Sequence, residues 1–189
     1  PSLIHRIDRD TSGILLIAKE KSILVKLVED FKHHDKVTKT YFAIVRGKLE
    51  KKSWTIDKKL KRIENAKNEN KVQVSNDGQT AITNYKVIGE HKIQTSKWAE
   101  YISELEVQIL TWRMHQIRVH LASLWHPIVW DNTYWDKAFN SYIKTQFGLD
   151  RQALHAWKIE FFHYNKNKKM NLEAKLKDDL IEFLEKIKG

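Results

Sequence analysis

The sequence contains no cysteine among its 189 residues, and this absence limits the chemistry open to it. Without cysteine there is no disulfide framework, no thiol nucleophile and no cysteine-based zinc site. Long hydrophobic runs are also missing, since no stretch approaches the roughly 18 apolar residues of a membrane-spanning helix, and no signal peptide is visible. We therefore expect a protein of the reducing cytoplasm that does not bind a membrane.

Glycine is scarce, and tryptophan is unusually common. The chain has 6 glycines and 7 tryptophans, whereas glycine normally makes up about 7% of a protein. In other respects the composition is that of a globular protein, with 41% hydrophobic and 31% charged residues. A chain of this length suits one domain with a substantial core.

Acidic residues are outnumbered by basic ones, 24 against 34, which gives a net charge of +10. This excess points to a polyanionic partner, and to nucleic acid before a membrane. The most basic part lies between residues 48 and 78. Its composition favours a solvated loop, with contacts to an RNA backbone as the alternative.

The apolar pattern predicts an α+β fold with a mixed, mainly antiparallel central sheet flanked by helices, because strands and helices alternate irregularly. The predicted strands cover residues 13–18, 37–45, 81–87, 99–110 and 154–162. The predicted helices cover residues 21–34 and 115–124, and a closing helix starts at Asp178. The inward positions expected in this closing helix are Leu180, Ile181, Leu184 and Ile187.

A charge-dense polar segment, residues 5–13, runs directly into the first predicted strand. Catalytic groups often lie on such loops, which a rigid scaffold holds in place. Asp8 stands there between two arginines, and fixed cations keep a carboxylate ionised, as a carboxylate nucleophile requires. The alternative is a solvated loop in which Asp10 or Ser12 caps a turn.

Three segments together resemble one enzyme family. Residues 5–13 read H-R-I-D-R-D-T-S-G, which resembles the H-R-L-D-x-x-T-S-G signature of the RluA/RluD-type pseudouridine synthases. Residues 39–47 resemble the K-x-Y-x-A-x-V-x-G segment of that family. Residues 111–122 read T-W-R-M-H-Q-I-R-V-H-L-A and resemble its T-G-R-x-H-Q-I-R-V-H-L-A segment. The similarity spans most of residues 1–163.

The resemblance implies the reaction and its catalytic residues. The expected activity is the isomerisation of uridine to pseudouridine in RNA, with large-subunit ribosomal RNA as the first candidate substrate and tRNA as the second. Asp8 is then the catalytic residue, Tyr41 stacks on the base and moves protons, and Arg118 forms an ion pair with Asp8. The resemblance further implies these substrate-binding residues: Arg6, Arg9, Thr11, Lys39, Arg113, His115 and Gln116.

The resemblance also implies that no cofactor is needed and that the protein is a monomer. His115, His120 and His126 do not predict a metal site, because the first two lie on different helix faces and no acidic or cysteine partner is near. The chain begins without methionine. We expect residues 1–189 to form a single catalytic domain that lacks its amino-terminal part.

Five tryptophans replace glycines of the family pattern, at Trp54, Trp112, Trp125, Trp130 and Trp135. Tryptophan is costly where a positive φ or a close backbone approach is required. We hypothesise that these codons are UGA, which the source organism reads as glycine. Ordinary UGG codons at the five positions would refute this hypothesis.

Two other interpretations remain open at this stage. The first is a non-catalytic RNA-binding protein, in which the basic surface carries the function and Asp8 is dispensable. The second is an inactive pseudoenzyme, which genuine tryptophans at the five positions would favour.

Overall fold

A computed structural model describes residues 1–33, 35–64, 70–94, 99–135 and 137–188. In this part of the chain the α-helices are α1 (Lys21–Asp30), α2 (Gln116–Ala122), α3 (Lys137–Phe147) and α4 (Asp178–Lys188). The strands are β1 (Ser2–Leu3), β2 (Ser12–Gly13), β3 (Ile17–Ala18), β4 (Thr38–Arg46), β5 (Ser53–Asp57), β6 (Leu60–Glu64), β7 (Asn70–Val74), β8 (Ile82–Gln94), β9 (Ala99–Ile109), β10 (Leu154–His163) and β11 (Lys168–Glu173). Within the same ranges, no helix has the length and apolar character needed to cross a bilayer.

The central sheet has seven strands in the order β11-β10-β4-β9-β8-β5, and β2 is added to β10. The β2–β10 pair is parallel, and the other neighbours in the sheet are antiparallel. Two small antiparallel pairs, β1–β3 and β6–β7, complete the strands. The predicted α+β class with a mixed, mainly antiparallel sheet is confirmed.

Strand β9 shows the expected alternation of apolar and polar residues, whereas residues 41–45 of β4 form a continuous buried apolar run. On β9, Leu105 and Val107 are buried, while Glu106 between them is partly exposed. Val107 pairs with Tyr41 of β4, and Tyr41 also pairs with Ala156 of β10. The sheet therefore places Tyr41 at its centre, where its neighbours on both sides hold the backbone.

Helices α3 and α4 cover the main hydrophobic core. The side chains buried there include Ile44, Leu105, Ile143, Leu180 and Phe183. In α4 the predicted inward positions Leu184 and Ile187 are buried, but Ile181 is 38% exposed, so that part of the prediction is wrong. A second cluster lies under α1 and contains Leu27, Phe31, Val37, Ile159 and Phe161.

The prediction of one buried strand over residues 13–18 is wrong. Pairing with β10 extends only through Ser12 and Gly13, and the chain then leaves the main sheet to pair with β1. Leu15 and Ile17 are 39% and 56% exposed. A short apolar run identifies residues able to be buried, but it does not show whether a partner strand continues beside them.

The solvated loop predicted between residues 48 and 78 is also wrong for the residues that the structure describes. They contain β5, β6 and β7, with Ile56, Leu60 and Val72 buried between exposed lysines. The dense charges obscured this short alternation. Residues 65–69 of the predicted loop lie outside the described residues.

Trp125 occupies a backbone position that favours glycine. Its φ is +64°, and its N–H donates to the Ala122 carbonyl at 3.0 Å, while the His126 N–H donates to the Leu121 carbonyl at 3.1 Å. These two hydrogen bonds form a Schellman motif at the end of α2, in which the left-handed residue is usually glycine. The Trp125 side chain is 80% exposed, so packing does not offset its backbone strain.

Trp130 is the second such position. Its φ is also +64°, and the Asp131 N–H donates to the Ile128 carbonyl at 3.1 Å across a tight turn. A positive φ at the third residue of a turn is the type II pattern, which favours glycine. This turn determines where the backbone of Asp131 lies.

The other three tryptophans, Trp54, Trp112 and Trp135, do not have a positive φ. The indole N–H groups of Trp112 and Trp135, like that of Trp130, are buried without a hydrogen-bond partner among the described residues. Trp54 lies half-exposed on β5, opposite Tyr85, where an extended backbone accepts a large side chain. The structure therefore gives a reason for glycine at positions 125 and 130, marks 112 and 135 as unfavourable for tryptophan, and gives no reason at 54.

We predict that Trp125→Gly stabilises the protein by about 1 kcal/mol, because glycine adopts the left-handed conformation without strain. The matched control is Trp54→Gly, which should destabilise by about 1 kcal/mol because it weakens a strand. Urea unfolding at neutral pH measures both changes. Equal destabilisation by the two substitutions would contradict the assignment of strain to residue 125.

Candidate active site

A cavity of about 410 Å³ lies where the 5–13 loop, β4 and the start of α2 meet. Asp8, Tyr41 and Arg118 all line it, although they are far apart in the sequence. Three different elements therefore bring one carboxylate, one phenol and one guanidinium to the same space. We call this space the first cavity.

The loop that carries Asp8 is fixed by hydrogen bonds to its neighbours. The Thr11 N–H donates to the Asp8 carbonyl at 3.0 Å, and the Gln152 side chain donates to the Thr11 hydroxyl at 2.7 Å. At Gly13, where φ is +105°, a Cβ atom would lie only 2.2 Å from the Ala156 carbonyl oxygen. Only glycine permits this approach, which attaches the loop to β10.

Arg118 is the centre of the ionic contacts. Its Nη1 donates to Asp8 Oδ2 at 3.0 Å, while its Nε and Nη2 donate to the two Asp131 oxygens at 2.7 and 2.9 Å. Burial alone lowers the pKa of Arg118, but the hydrogen bonds and charges of Asp131 and then Asp8 raise this pKa above its ordinary value. Arg118 is therefore a permanent cation that both carboxylates share.

Asp131 and Asp8 differ in solvent exposure and in how many of their carboxylate oxygens accept hydrogen bonds. The Asp131 side chain is 1% exposed and is engaged by both sides of the guanidinium fork. The Asp8 side chain is 22% exposed, and within the described ranges Arg118 is its only hydrogen-bond donor. Asp8 thus keeps one oxygen directed away from the ion pair and available in the first cavity.

Asp131 and Tyr134 complete the surroundings of Arg118. The Thr133 and Tyr134 N–H groups donate to Asp131 Oδ1 at 2.9 and 3.2 Å, and the Tyr134 ring lies 5.1 Å from the guanidinium carbon. Neither residue was predicted to belong to the site. The only sequence signal is their place in segments that resemble family blocks, which does not reveal a role.

His115 lies between Tyr134 and Asp8. The Tyr134 hydroxyl accepts from the Val72 N–H at 3.0 Å and lies 2.8 Å from His115 Nδ1. All these groups are satisfied when the hydroxyl donates to Nδ1, which places the ring proton of a neutral His115 on Nε2. That nitrogen is 4.0 Å from Asp8 Oδ2. Burial first, and then the charge of Arg118, lowers the pKa of His115, which favours this neutral form.

Tyr41 remains a neutral phenol at physiological pH. Burial, followed by the negative charge of Asp8, raises the pKa of Tyr41 well above its ordinary value. A neutral phenol beside a carboxylate can donate a hydrogen bond, and its ring offers a flat apolar face to a ligand. Lys39, two residues earlier on β4, is on the same face of the strand.

Lys39 is a buried cation among aromatic rings. Its Nζ lies 4.5 Å from the centre of the Phe31 ring and 5.3 Å from that of Trp112, and no described carboxylate pairs with it. Burial lowers the pKa of Lys39 to about 7. His5, stacked on Phe31 at 5.0 Å, has its pKa lowered to about 4 by burial and then by Lys39.

The remaining predicted residues fall into two groups. Arg6, Thr11, Arg113, His115 and Gln116 line the first cavity, as Lys39 does. Gln116, however, is buried and its side chain is fully occupied by Thr111, Arg113 and β8.

Arg9 does not join them. Its side chain is 92% exposed, pairs with Asp10 and does not line the cavity. Across the described residues, no group of three metal-ligating side chains is found.

Comparisons with known proteins identify the family of this chain. The family of RNA pseudouridylate synthases matches residues 1–123. Ribosomal large subunit pseudouridine synthase C of Vibrio cholerae is 38% identical over 188 residues, which is 98% of this chain and 55% of that protein. The protein of the same name in Buchnera aphidicola is 37% identical over 174 residues, 92% of this chain and 52% of its own. The chain spans about half the length of these relatives.

Solved structures show the same fold. Human RNA pseudouridylate synthase domain containing 1 superposes with a TM-score of 0.77 at 24% identity, covering 93% of this chain and 69% of that one. Human RNA pseudouridylate synthase domain containing 4 gives a TM-score of 0.75 at 23% identity, covering 99% and 76%. The predicted family resemblance is confirmed.

We predict that Asp131→Asn destabilises the protein by about 3 kcal/mol, because it leaves a buried guanidinium partly unpaired. The control is Asp179→Asn, since Asp179 accepts the same two-pronged contact from Arg151 at 2.6 and 2.8 Å. That pair is more exposed, so its loss should cost about 1 kcal/mol or less. Urea unfolding measures both variants, and equal losses would argue against a special dependence on Asp131.

Lys39 should make stability depend on pH. The unfolded lysine, with an ordinary pKa near 10.5, binds more protons between pH 7 and 10 than the folded one, whose pKa is about 7. Stability should therefore rise as the pH increases from 7 to 9. Lys39→Met should remove this rise, and Lys86→Met, at an exposed position on β8, should keep it. Unfolding curves at pH 7, 8 and 9 test this, and an unchanged slope in Lys39→Met would contradict it.

Proposed function

Because this chain belongs to the RNA pseudouridylate synthase family, we propose that it converts uridine in RNA to pseudouridine within the first cavity. The observation that carries this proposal is the Asp8 carboxylate, held by Arg118 at 3.0 Å beside Tyr41. The reaction breaks the bond between the sugar and the uracil nitrogen, turns the base and rejoins it through carbon. Base and sugar both stay bound, so the residues described above suffice for the chemistry.

Asp8 starts the reaction in one of two ways. As a nucleophile, its carboxylate attacks the sugar carbon and displaces uracil. As a base, it removes a proton from the sugar so that uracil leaves by elimination. Both routes need an ionised carboxylate with an accessible oxygen. The single hydrogen bond from Arg118 supports this state, since a bidentate contact would occupy both Asp8 oxygens.

Tyr41 supports the base during its rotation. Its ring stacks on the flat face of uracil, which keeps the detached base in the cavity. Its phenol keeps its proton because burial and Asp8 raise the Tyr41 pKa. It therefore acts as a hydrogen-bond donor, or passes a proton only as another one arrives.

The target uridine must leave its helix or loop to reach Asp8. Flipping a nucleotide out of RNA costs a few kcal/mol, which contacts elsewhere must offset. Arg6 lines the cavity and is exposed, and we assign to it the space that the flipped base vacates. Lys39, Arg113 and His115 are proposed to contact the nucleotide, and Thr11 to hold the loop. Arg9 is proposed to contact the RNA only outside the first cavity.

The names of the relatives support a choice of substrate. The Vibrio cholerae and Buchnera aphidicola proteins are named as ribosomal large subunit pseudouridine synthases, so we propose ribosomal RNA as the substrate, ahead of tRNA. We further propose that the protein acts in the cytoplasm as a monomer. Residues 1–189 would be one catalytic domain of a longer protein.

A second candidate function is an inactive pseudoenzyme. The observation in its favour is Trp112, whose indole lines the first cavity with a buried and unpartnered N–H. If the source organism inserts tryptophan there, the indole fills space next to Lys39 that a nucleotide would use. Glycine at residue 112 would leave this space open.

We predict that Asp8→Asn abolishes pseudouridine formation and leaves RNA affinity unchanged, because the amide keeps the shape of the side chain but cannot act as nucleophile or base. The full-length protein, with glycine at the five tryptophan positions, is incubated with unmodified large-subunit ribosomal RNA. Chemical labelling and primer extension then map pseudouridine. Asp10→Asn, in the same loop and exposed, should retain activity.

The other outcomes separate the candidates. Turnover by Asp8→Asn would refute the assignment of Asp8. Product from the glycine form and none from the tryptophan form would make the tryptophan form a pseudoenzyme. A folded glycine form that binds RNA without making product would favour a non-catalytic RNA-binding protein.

A further inference from the structure

A second cavity of about 440 Å³ lies beside the first. The β6–β7 hairpin and the turn that follows it form most of its wall. Arg62, Arg113 and Met114 line both cavities, so the two spaces meet at these residues. Each volume falls within the range of about 300–1,000 Å³ typical of ligand pockets.

The wall of the second cavity is fixed by the fold. Leu60 and Gln79 exchange two backbone hydrogen bonds, each of 2.8 Å. A Cβ atom on Gly78 would lie 2.5 Å from the Leu60 carbonyl carbon, so the turn is pressed against β6. Val72 of β7 donates to the Tyr134 hydroxyl at 3.0 Å. The second cavity is therefore connected through Tyr134 to the side chains around Arg118.

The charges around this cavity favour an anion. Lys61, Arg62 and Arg113 line it, against the single acid Asp77. Asp77 pairs with Lys61 and also accepts from the Ser75 hydroxyl, so the net charge of the lining stays positive. Both arginines stand where the two cavities meet.

Arg113 makes one side-chain hydrogen bond to the backbone, and this leaves its terminal nitrogens available to a ligand. Its Nε donates to the Thr80 carbonyl at 3.0 Å, which anchors one side of the exposed guanidinium. Its two terminal nitrogens make no hydrogen bond with the residues that the structure describes. A guanidinium anchored through Nε, with its two terminal nitrogens available, matches the oxygens of a phosphate group.

We propose that the second cavity binds the nucleotide next to the target uridine in the RNA chain, and that Arg113 binds the phosphate joining the two. This inference rests on the proposed function, because it takes the first cavity as the place of the flipped uridine. A flipped nucleotide stays linked to its neighbours through phosphates, so its chain must leave the first cavity along an adjoining surface. The second cavity provides that surface, with positive charge at the junction.

The test combines one protein change with one RNA change. The RNA is a ribosomal RNA fragment that the protein modifies, prepared with a single uncharged methylphosphonate at each linkage near the target uridine. The parent protein is the full-length form with glycine at the five tryptophan positions, and neutralising one linkage next to the uridine should lower its affinity about tenfold. Arg113→Gln should lower affinity for ordinary RNA about tenfold, and the two changes together should lower it no further.

Salt dependence gives a second measurement. Loss of one phosphate contact on a single strand reduces the slope of log affinity against log salt by about 0.7. Arg113→Gln and the neutral linkage should each reduce the slope by this amount. When both are present, the slope should be reduced by the same amount only once. Arg113→Lys should recover part of the affinity, because an ammonium still attracts the phosphate as a point charge.

The matched control is Lys168→Gln with Lys169→Gln. These exposed lysines lie on β11, at the opposite edge of the sheet from β5. This variant should keep the full sensitivity to the neutral linkage. The inference would be overturned if the losses of RNA affinity from Arg113→Gln and from the neutral linkage added together at every linkage tested, in a variant with unchanged thermal stability. Product formation in the same experiment would still support the proposed function. If no RNA is converted, the proposed function fails and this inference fails with it.

Discussion

One buried guanidinium, shared by two carboxylates, is the interaction on which the site depends. Removing three charged groups from water is unfavourable unless their hydrogen bonds are nearly all satisfied. Asp131 meets this condition because it accepts hydrogen bonds from Nε and Nη2 of Arg118 and from two backbone N–H groups. Asp8 accepts one hydrogen bond, from Nη1 of Arg118. The group of three carries one net negative charge, and Asp8 presents it to a cavity whose other charged lining residues are basic.

The backbone brings these charges together through three residues with positive φ. Gly13 attaches the Asp8 loop to β10, His115 precedes the helix that carries Arg118, and Trp130 precedes Asp131. At each place the backbone has a positive φ, which residues other than glycine rarely adopt. The site thus depends on local bends as much as on the sheet beneath it.

Much of this arrangement could be predicted from the sequence, but not all of it. The alternation on β9 and the apolar stripe of α2 are long enough to identify, and motif similarity alone groups Asp8, Tyr41 and Arg118 into one site. Asp131 and Tyr134 were missed because their importance lies in contacts with residues distant along the chain. Strands β5, β6 and β7 were missed because their lysines outnumber the few apolar residues that pack. The exposure of Leu15 and Ile17 could not be read from their apolar side chains alone.

The two strained tryptophans bear on decoding as well as on folding. Trp125 ends a helix, and Trp130 turns the chain before Asp131. The two backbone motifs are unrelated, so no shared structural requirement explains why the same unsuitable residue stands in both. The hypothesis that these codons are UGA read as glycine supplies a shared cause, since one reassigned codon would change every such position alike. On that hypothesis, two dihedral angles of the folded chain carry information about the genetic code of the organism that makes it.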